Sequence, residues 1–189
     1  MKVLLVGNGA REHAIAKSIV RDDGELYAFM SKENPGIADL SKDFIIADLS
    51  DFSKLKSFSN VDYAVIGPEN PLGSGIVDYL EDKLSIPTFG PRRNLARIET
   101  SKVWARKLMS KYSIAGIPRH FICQSIDDFE EAIRSLWPNI VIKPDGLTGG
   151  KGVKVYGDHF QSLEDAYSYA KHLLQKDGCL LIEEKLVGQ

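Results

Sequence analysis

The stretch Val3-Leu4-Leu5-Val6-Gly7-Asn8-Gly9-Ala10-Arg11-Glu12-His13 passes from an apolar run through a glycine turn into a polar helix start. Four consecutive apolar residues closed by glycine are the pattern of a strand buried on both faces of a parallel sheet. From Arg11 to about Arg21, Ile15, Ala16, Ile19 and Val20 recur at helical spacing and predict a helix packed on that sheet. Further strands are predicted at residues 26–29, 44–47 and 63–66, with helices over 51–59 and 73–84. Such alternation implies a parallel sheet with helices on both faces.

Pro87, Gly90 and Pro91 interrupt this pattern before a polar helical stretch from Arg92 to about Lys111, which places a domain boundary near residue 90. After Gly116-Ile117-Pro118 the expected order is strand 119–123, helix 126–136, strands 140–143 and 153–156, helix 163–175 and strand 179–183. Ser125 and Ser162 stand where N-caps belong. Both helices carry one apolar face, so they are expected on one side of a mainly antiparallel sheet.

At 189 residues, two small domains can each bury a core. The net charge of -2 argues against sequence-independent binding of nucleic acid. Two cysteines, Cys123 and Cys179, are too few for a structural zinc site and too far apart for a redox pair; both are expected as buried thiols. No stretch approaches the roughly 20 apolar residues of a membrane span, and a cytoplasmic place is expected.

Two glycine loops carry the chemistry. Gly7, Asn8 and Gly9 precede a helix whose N-terminal N–H groups can hold an anion, with Arg11 and Glu12 in its first turn to meet a phosphate and an amine or hydroxyl. A dinucleotide fold is disfavoured: Glu12 stands where the third glycine of the fingerprint belongs, and no acidic residue closes the second strand at Phe29-Met30. Gly67-Pro68-Glu69 falls at the carboxyl edge of the fourth strand, where Glu69 can face the same ligand. Lys143-Pro144-Asp145-Gly146-Leu147-Thr148-Gly149-Gly150-Lys151-Gly152 joins two strands, so it is no Walker A loop, which leads into a helix. Its N–H groups and lysines suit phosphate oxygens. The plain alternatives are a tight turn and a hairpin.

The G-N-G-x-R-E-H-A start, Gly67 to Leu72, Phe89-Gly90-Pro91, Ser101-Lys102, Lys143 to Val153 and Ile182-Glu183-Glu184 together resemble the phosphoribosylamine-glycine ligase family of ATP-grasp enzymes, over the whole chain and in the same order. The resemblance implies a parallel-sheet, Rossmann-like pre-ATP-grasp domain at 1–100 that binds phosphoribosylamine through Gly7, Asn8, Gly9, Arg11, Glu12, Gly67, Pro68 and Glu69. A helical linker at 101–118 and a small α+β ATP-grasp lid at 119–189 would follow. Lys102, Lys143, Gly146, Gly149, Gly150, Lys151 and Gly152 would hold ATP phosphates, while Glu183, Glu184 and Leu186 form the strand that meets adenine.

The implied reaction uses ATP to phosphorylate glycine, after which the amine of phosphoribosylamine displaces phosphate from the acyl phosphate. Magnesium bridges the ATP phosphates. Such chemistry rests on positioning more than on a protein nucleophile, and no catalytic residue is assigned. The family continues beyond Gln189 with its ribose and magnesium ligands, so the chain alone is expected to be inactive and to need a second chain supplying the rest. Ala10, Pro144, Thr148 and Gln189 depart from the family pattern. Other readings are a stand-alone ribose-phosphate or nucleotide binding module, and a relative acting on formate, bicarbonate or aminoimidazole substrates.

Overall fold

The computed structural model of the chain describes residues 1–188; Gln189 lies outside them. The chain divides into two compact units, Met1–Arg97 and the residues from Ile98 onward.

The first unit runs β1 (Lys2–Val6), α1 (Ala10–Arg21), β2 (Glu25–Met30), α2 (Pro35–Ala38), β3 (Ser41–Ile46), a 3-10 segment (Phe52–Phe58), β4 (Tyr63–Ile66), α3 (Glu69–Ser74), α4 (Ile76–Leu84) and β5 (Thr88–Phe89). The strands form one sheet in the order β3-β2-β1-β4-β5, all neighbours parallel. Successive side chains of a strand point to opposite faces, and both faces of this sheet are covered. Leu4, Val6 and Phe29 pack with Ile76 and Leu80 of α4, whereas Leu5, Ala28 and Met30 pack with Ala16 of α1 and Ile37 of α2. Burying each such Leu, Ile or Phe contributes about 1.5–3 kcal/mol relative to exposure. The strand order reverses at β1, so a crevice opens outside the carboxyl ends of β1 and β4.

Helix α5 (Arg93–Thr100) spans the division between the units, and the second unit continues with α6 (Lys102–Lys111), β6 (His120–Cys123), α7 (Ile126–Leu136), β7 (Ile140–Pro144), β8 (Lys154–Val155), α8 (Leu163–Asp177) and β9 (Leu180–Glu184). Its sheet is antiparallel in the order β6-β9-β7-β8. Phe129, Ala132 and Ile133 of α7 and Ala166, Ala170 and Leu173 of α8 share one core with Ile140, Ile142, Leu180 and Ile182. The period of two therefore turns Glu183 to the other side of β9, where Arg106 of α6 meets it.

Several boundaries differ from the sequence reading. β3 begins at Ser41 rather than Phe44, because its parallel partner β2 extends the ladder past the apolar core. Residues 73–84 are two helices split at Gly75, whose φ of +95° is left-handed, and residues 69–74 are helical despite Pro71. The stretch 92–111 breaks at Ser101, whose extended backbone and hydroxyl start α6 by accepting from Trp104 N at 3.0 Å. The short α2 and β5 carried no apolar repeat long enough to read. Cys123 is buried as expected, and burial pushes its thiol up to about 12; Cys179 is only partly buried, at the edge of β9. No described helix is long and apolar enough to cross a membrane.

Candidate functional site

In the first unit the glycine loop is built around Glu12. Only 4% of this residue is exposed. Its carboxylate reaches back to accept from Gly9 N at 2.6 Å, half of a capping box, since Gly9 has no side chain to reciprocate. Arg11 Nε donates to the same carboxylate at 3.1 Å, and Arg11 Nη2 donates to the Gly67 carbonyl at 2.6 Å and to Glu69 Oε1 at 3.3 Å. These bonds, first from Glu12 and then from Glu69, raise the Arg11 guanidinium above its ordinary value. Gly67 is glycine because a Cβ there would run into the Glu12 carboxylate, and one on Gly7 would stand 2.7 Å from Pro68 Cδ. Gly7, Gly9, Arg11, Glu12, Gly67, Pro68 and Glu69 therefore come together at the switch point. Glu12 faces into the turn, and Arg11 with Glu69 forms its exposed rim.

Asn8 links this loop to a neighbouring groove. Its Oδ1 accepts from Ser31 Oγ at 2.7 Å, and its carbonyl accepts from Asn34 Nδ2 at 3.0 Å. The groove, about 470 Å³, is lined by Ser31, Asp48, Ser50, Asn70 and Ser74 among others. Asp48 accepts from Ser50 N at 2.8 Å and Ser50 Oγ at 2.7 Å, which holds its carboxyl below the ordinary value. An ionised acceptor thus stands at the end of β3, one strand beyond the β2 end where the sequence has none. Sequence reasoning missed it because Asp48 belongs to a short Asp-Leu-Ser-Asp turn whose strand order was unknown.

In the second unit the side chains of Lys102, Arg106, Lys143, Asp145 and Glu183 gather. Asp145 accepts from Ser101 Oγ and Val103 N, both at 3.1 Å, so it pins the start of α6. Lys102 Nζ donates to the Gly146 carbonyl at 2.5 Å. Glu183, 2% exposed, accepts from Lys143 Nζ on one oxygen and Arg106 Nε on the other. Burial alone would push its carboxyl up; the bonds from Arg106 and Lys143 outweigh that and hold it below the ordinary value. Lys102 is depressed by burial and by the neighbouring Lys143 charge, against the pull of Asp145. Within the cluster Arg106 and Lys143 against the single Glu183 carboxylate carry one net positive charge, suited to an anion.

The loop that follows bends through Gly146, Gly149 and Gly150 at φ of +82°, +57° and +77°. Nothing lies within 4 Å of a Cβ on Gly149 or Gly150, so conformation rather than space calls for glycine there. Gly152 is different, since a Cβ would stand 2.6 Å from Pro144 Cγ; its carbonyl accepts from Tyr169 OH at 2.7 Å. Lys151 is exposed within the turn. Glu184 accepts from Arg119 N at 2.8 Å and so ties β9 to β6, and Leu186 is exposed past the strand end. Arg106 was not foreseen, although it lies four residues after Lys102 and hence on the same helical face.

The profile described as "Phosphoribosylglycinamide synthetase, N domain" matches residues 1–99, and that described as "Phosphoribosylglycinamide synthetase, ATP-grasp (A) domain" matches residues 100–189. The chain belongs to the phosphoribosylglycinamide synthetase family. Among curated members of this family, phosphoribosylamine-glycine ligase of Methanopyrus kandleri is 47% identical over all of this chain and 44% of that protein, and that of Pyrococcus furiosus is 44% identical over all of this chain and 43% of its own length. The crystal structure of phosphoribosylamine-glycine ligase from Thermotoga maritima superimposes with a TM-score of 0.76 at 27% identity, over all of this chain and 45% of that one. N5-carboxyaminoimidazole synthetase from Staphylococcus aureus complexed with ADP shares the fold, with a TM-score of 0.80 at 15% identity over all of this chain and 48% of that one. The chain spans less than half the length of the synthetase relatives it matches.

Proposed function

We propose that this chain is the N-terminal part of an ATP-dependent ligase that joins glycine to 5-phosphoribosylamine, giving glycinamide ribonucleotide, ADP and phosphate. Membership of the synthetase family supports the ligase class. The observation that carries the nucleotide half is the Lys102–Lys143–Arg106 cluster at the foot of the glycine loop. There Lys102 and Lys143 neutralise phosphate charge, and the N–H groups of residues 146–152 wrap the oxygens. Backbone groups of Glu183, Glu184 and Leu186 read the adenine. ATP supplies the phosphoryl group that activates the glycine carboxylate; the phosphoribosylamine nitrogen then attacks the acyl carbon as phosphate leaves.

Residues 1–100 receive the sugar phosphate. The first-turn N–H groups of α1, which have no intrahelical acceptor, face the phosphate beside Arg11. Residues 101–118 lead into the nucleotide part and 119–189 form its lid. Among the described residues no three His, Cys, Asp or Glu side chains gather as a metal site, so these residues do not by themselves fit magnesium. The substrates are soluble metabolites, which supports a cytoplasmic place.

Calorimetric titration separates the two halves. Lys143→Ala is expected to weaken magnesium-ATP binding at least tenfold while leaving ribose 5-phosphate binding as it was, and Arg11→Ala the reverse. If the wild-type chain takes up neither ligand, both loops are structural and this reading fails.

A further inference from the structure

The buried Glu183 carboxylate is shared by two cations on different elements: Lys143 at the end of β7 and Arg106 on α6. Each carboxylate oxygen takes one partner. We propose that Arg106 is a positioning residue, which by holding one oxygen of Glu183 keeps the Lys143 ammonium available to a nucleotide phosphate. The inference rests on the nucleotide reading above and adds to it a residue that does not itself need to touch the ligand.

Charge and donor count both favour this role. A lysine ammonium has three N–H donors. With Glu183 divided between two cations, one donor of Lys143 is engaged there and the remainder are left for a ligand, and the trio carries one net positive charge. Without Arg106 the pair Lys143–Glu183 is neutral. Glu183 sits where attraction between unit charges is far stronger than in water, so its whole charge then falls on Lys143 and an arriving phosphate must compete with it. The Arg106 and Lys143 side chains are each mostly buried, at 21% and 24% exposure, so bulk solvent does not take over the role of the missing partner. Arginine suits the position because it stays charged at any working pH and its other arm is already steadied, with Nη1 at 3.3 Å from Met109 Sδ. Lys102 donates to the Gly146 carbonyl and makes no hydrogen bond to Glu183, whose two oxygens are taken by Arg106 and Lys143, so it does not substitute for Arg106.

The test measures affinity of the full chain for ATP by calorimetry and for adenosine, which has no phosphate, by NMR titration. Wild type, Arg106→Gln, Glu183→Gln and the double variant are compared, with thermal melts confirming that each is folded. Arg106→Gln is expected to weaken ATP at least tenfold and to change adenosine by less than twofold. Adding Glu183→Gln to it, which removes the competing charge but keeps the shape, is expected to recover most of the ATP affinity. A merely structural Arg106 would weaken both ligands alike and would not be rescued by a second substitution in the core. If Arg106→Gln leaves ATP binding unchanged, affects both ligands equally, or is not rescued, the proposal is overturned while the nucleotide reading stands. If wild type binds no ATP, the nucleotide reading itself falls and takes this inference with it.

Discussion

Glu12 shows how one side chain can dictate its neighbours' identities. Because its carboxylate fills the space beside Gly67 and caps Gly9, a methyl group at position 67 has nowhere to go. Gly67→Ala is expected to cost about 2 kcal/mol or more in urea unfolding, and the penalty should shrink in a Glu12→Ala background, where the obstacle is gone. Additive effects would show that the two residues do not meet. Glu183 provides a second residue-scale prediction. Its folded pKa lies below the unfolded value of about 4.3, so its ion pairs contribute stability above that pH, and this contribution is lost as pH falls from there through the depressed folded value. Urea midpoints should therefore fall on acidification below about pH 4.3, and less steeply in Glu183→Gln. The motif residues were legible in the sequence because glycine, lysine and acid recur at telling positions. Which way each side chain points was not, since Glu12 looks like a ligand-facing residue until the turn is seen to close around it.

Elements with strong periodicity and a marked start were readable to within a few residues. Ile126–Leu136 is the clearest: Ser125 accepts from Asp128 N at 3.1 Å, and Asp128 accepts from Ser125 N at 2.9 Å and Gln124 N at 2.8 Å. Ser125→Ala should lower stability by about 1 kcal/mol, measured by denaturant titration, while Ser125→Asp should retain most of it. Short elements escaped because their cause is not local. The two-residue β5 exists through its pairing with β4, and α3 begins at Glu69 because the chain must turn outside the sheet edge. Its prolines do not oppose the helix: Pro68 is the N-cap and Pro71 falls in the first turn, where proline's missing N–H costs nothing.

At the scale of the molecule, the change from alternating strands and helices to a mixed pattern near residue 90 reflects a real change in pairing, from parallel to antiparallel. The order β3-β2-β1-β4-β5 was not legible, since which strands neighbour one another depends on crossover handedness rather than on any one segment. The core clusters of the two units share no residue. Each is of a size that sustains a core of its own. Residues 1–97 expressed alone are thus expected to give a dispersed NMR spectrum and a cooperative melt; a collapsed, broad spectrum would mean that this core is insufficient.

The contrast between Cys123 and Cys179 places a clock inside the second unit. A thiol whose pKa is pushed up to about 12 in a sealed core is almost never a thiolate at neutral pH, so an alkylating reagent can mark Cys123 only in the moments when α7 and the sheet part. Cys179, partly open to solvent, is tagged first and serves as the reference for reagent strength. The ratio of the two labelling rates, followed by mass spectrometry, reads out how often that core breathes, without any cysteine being introduced.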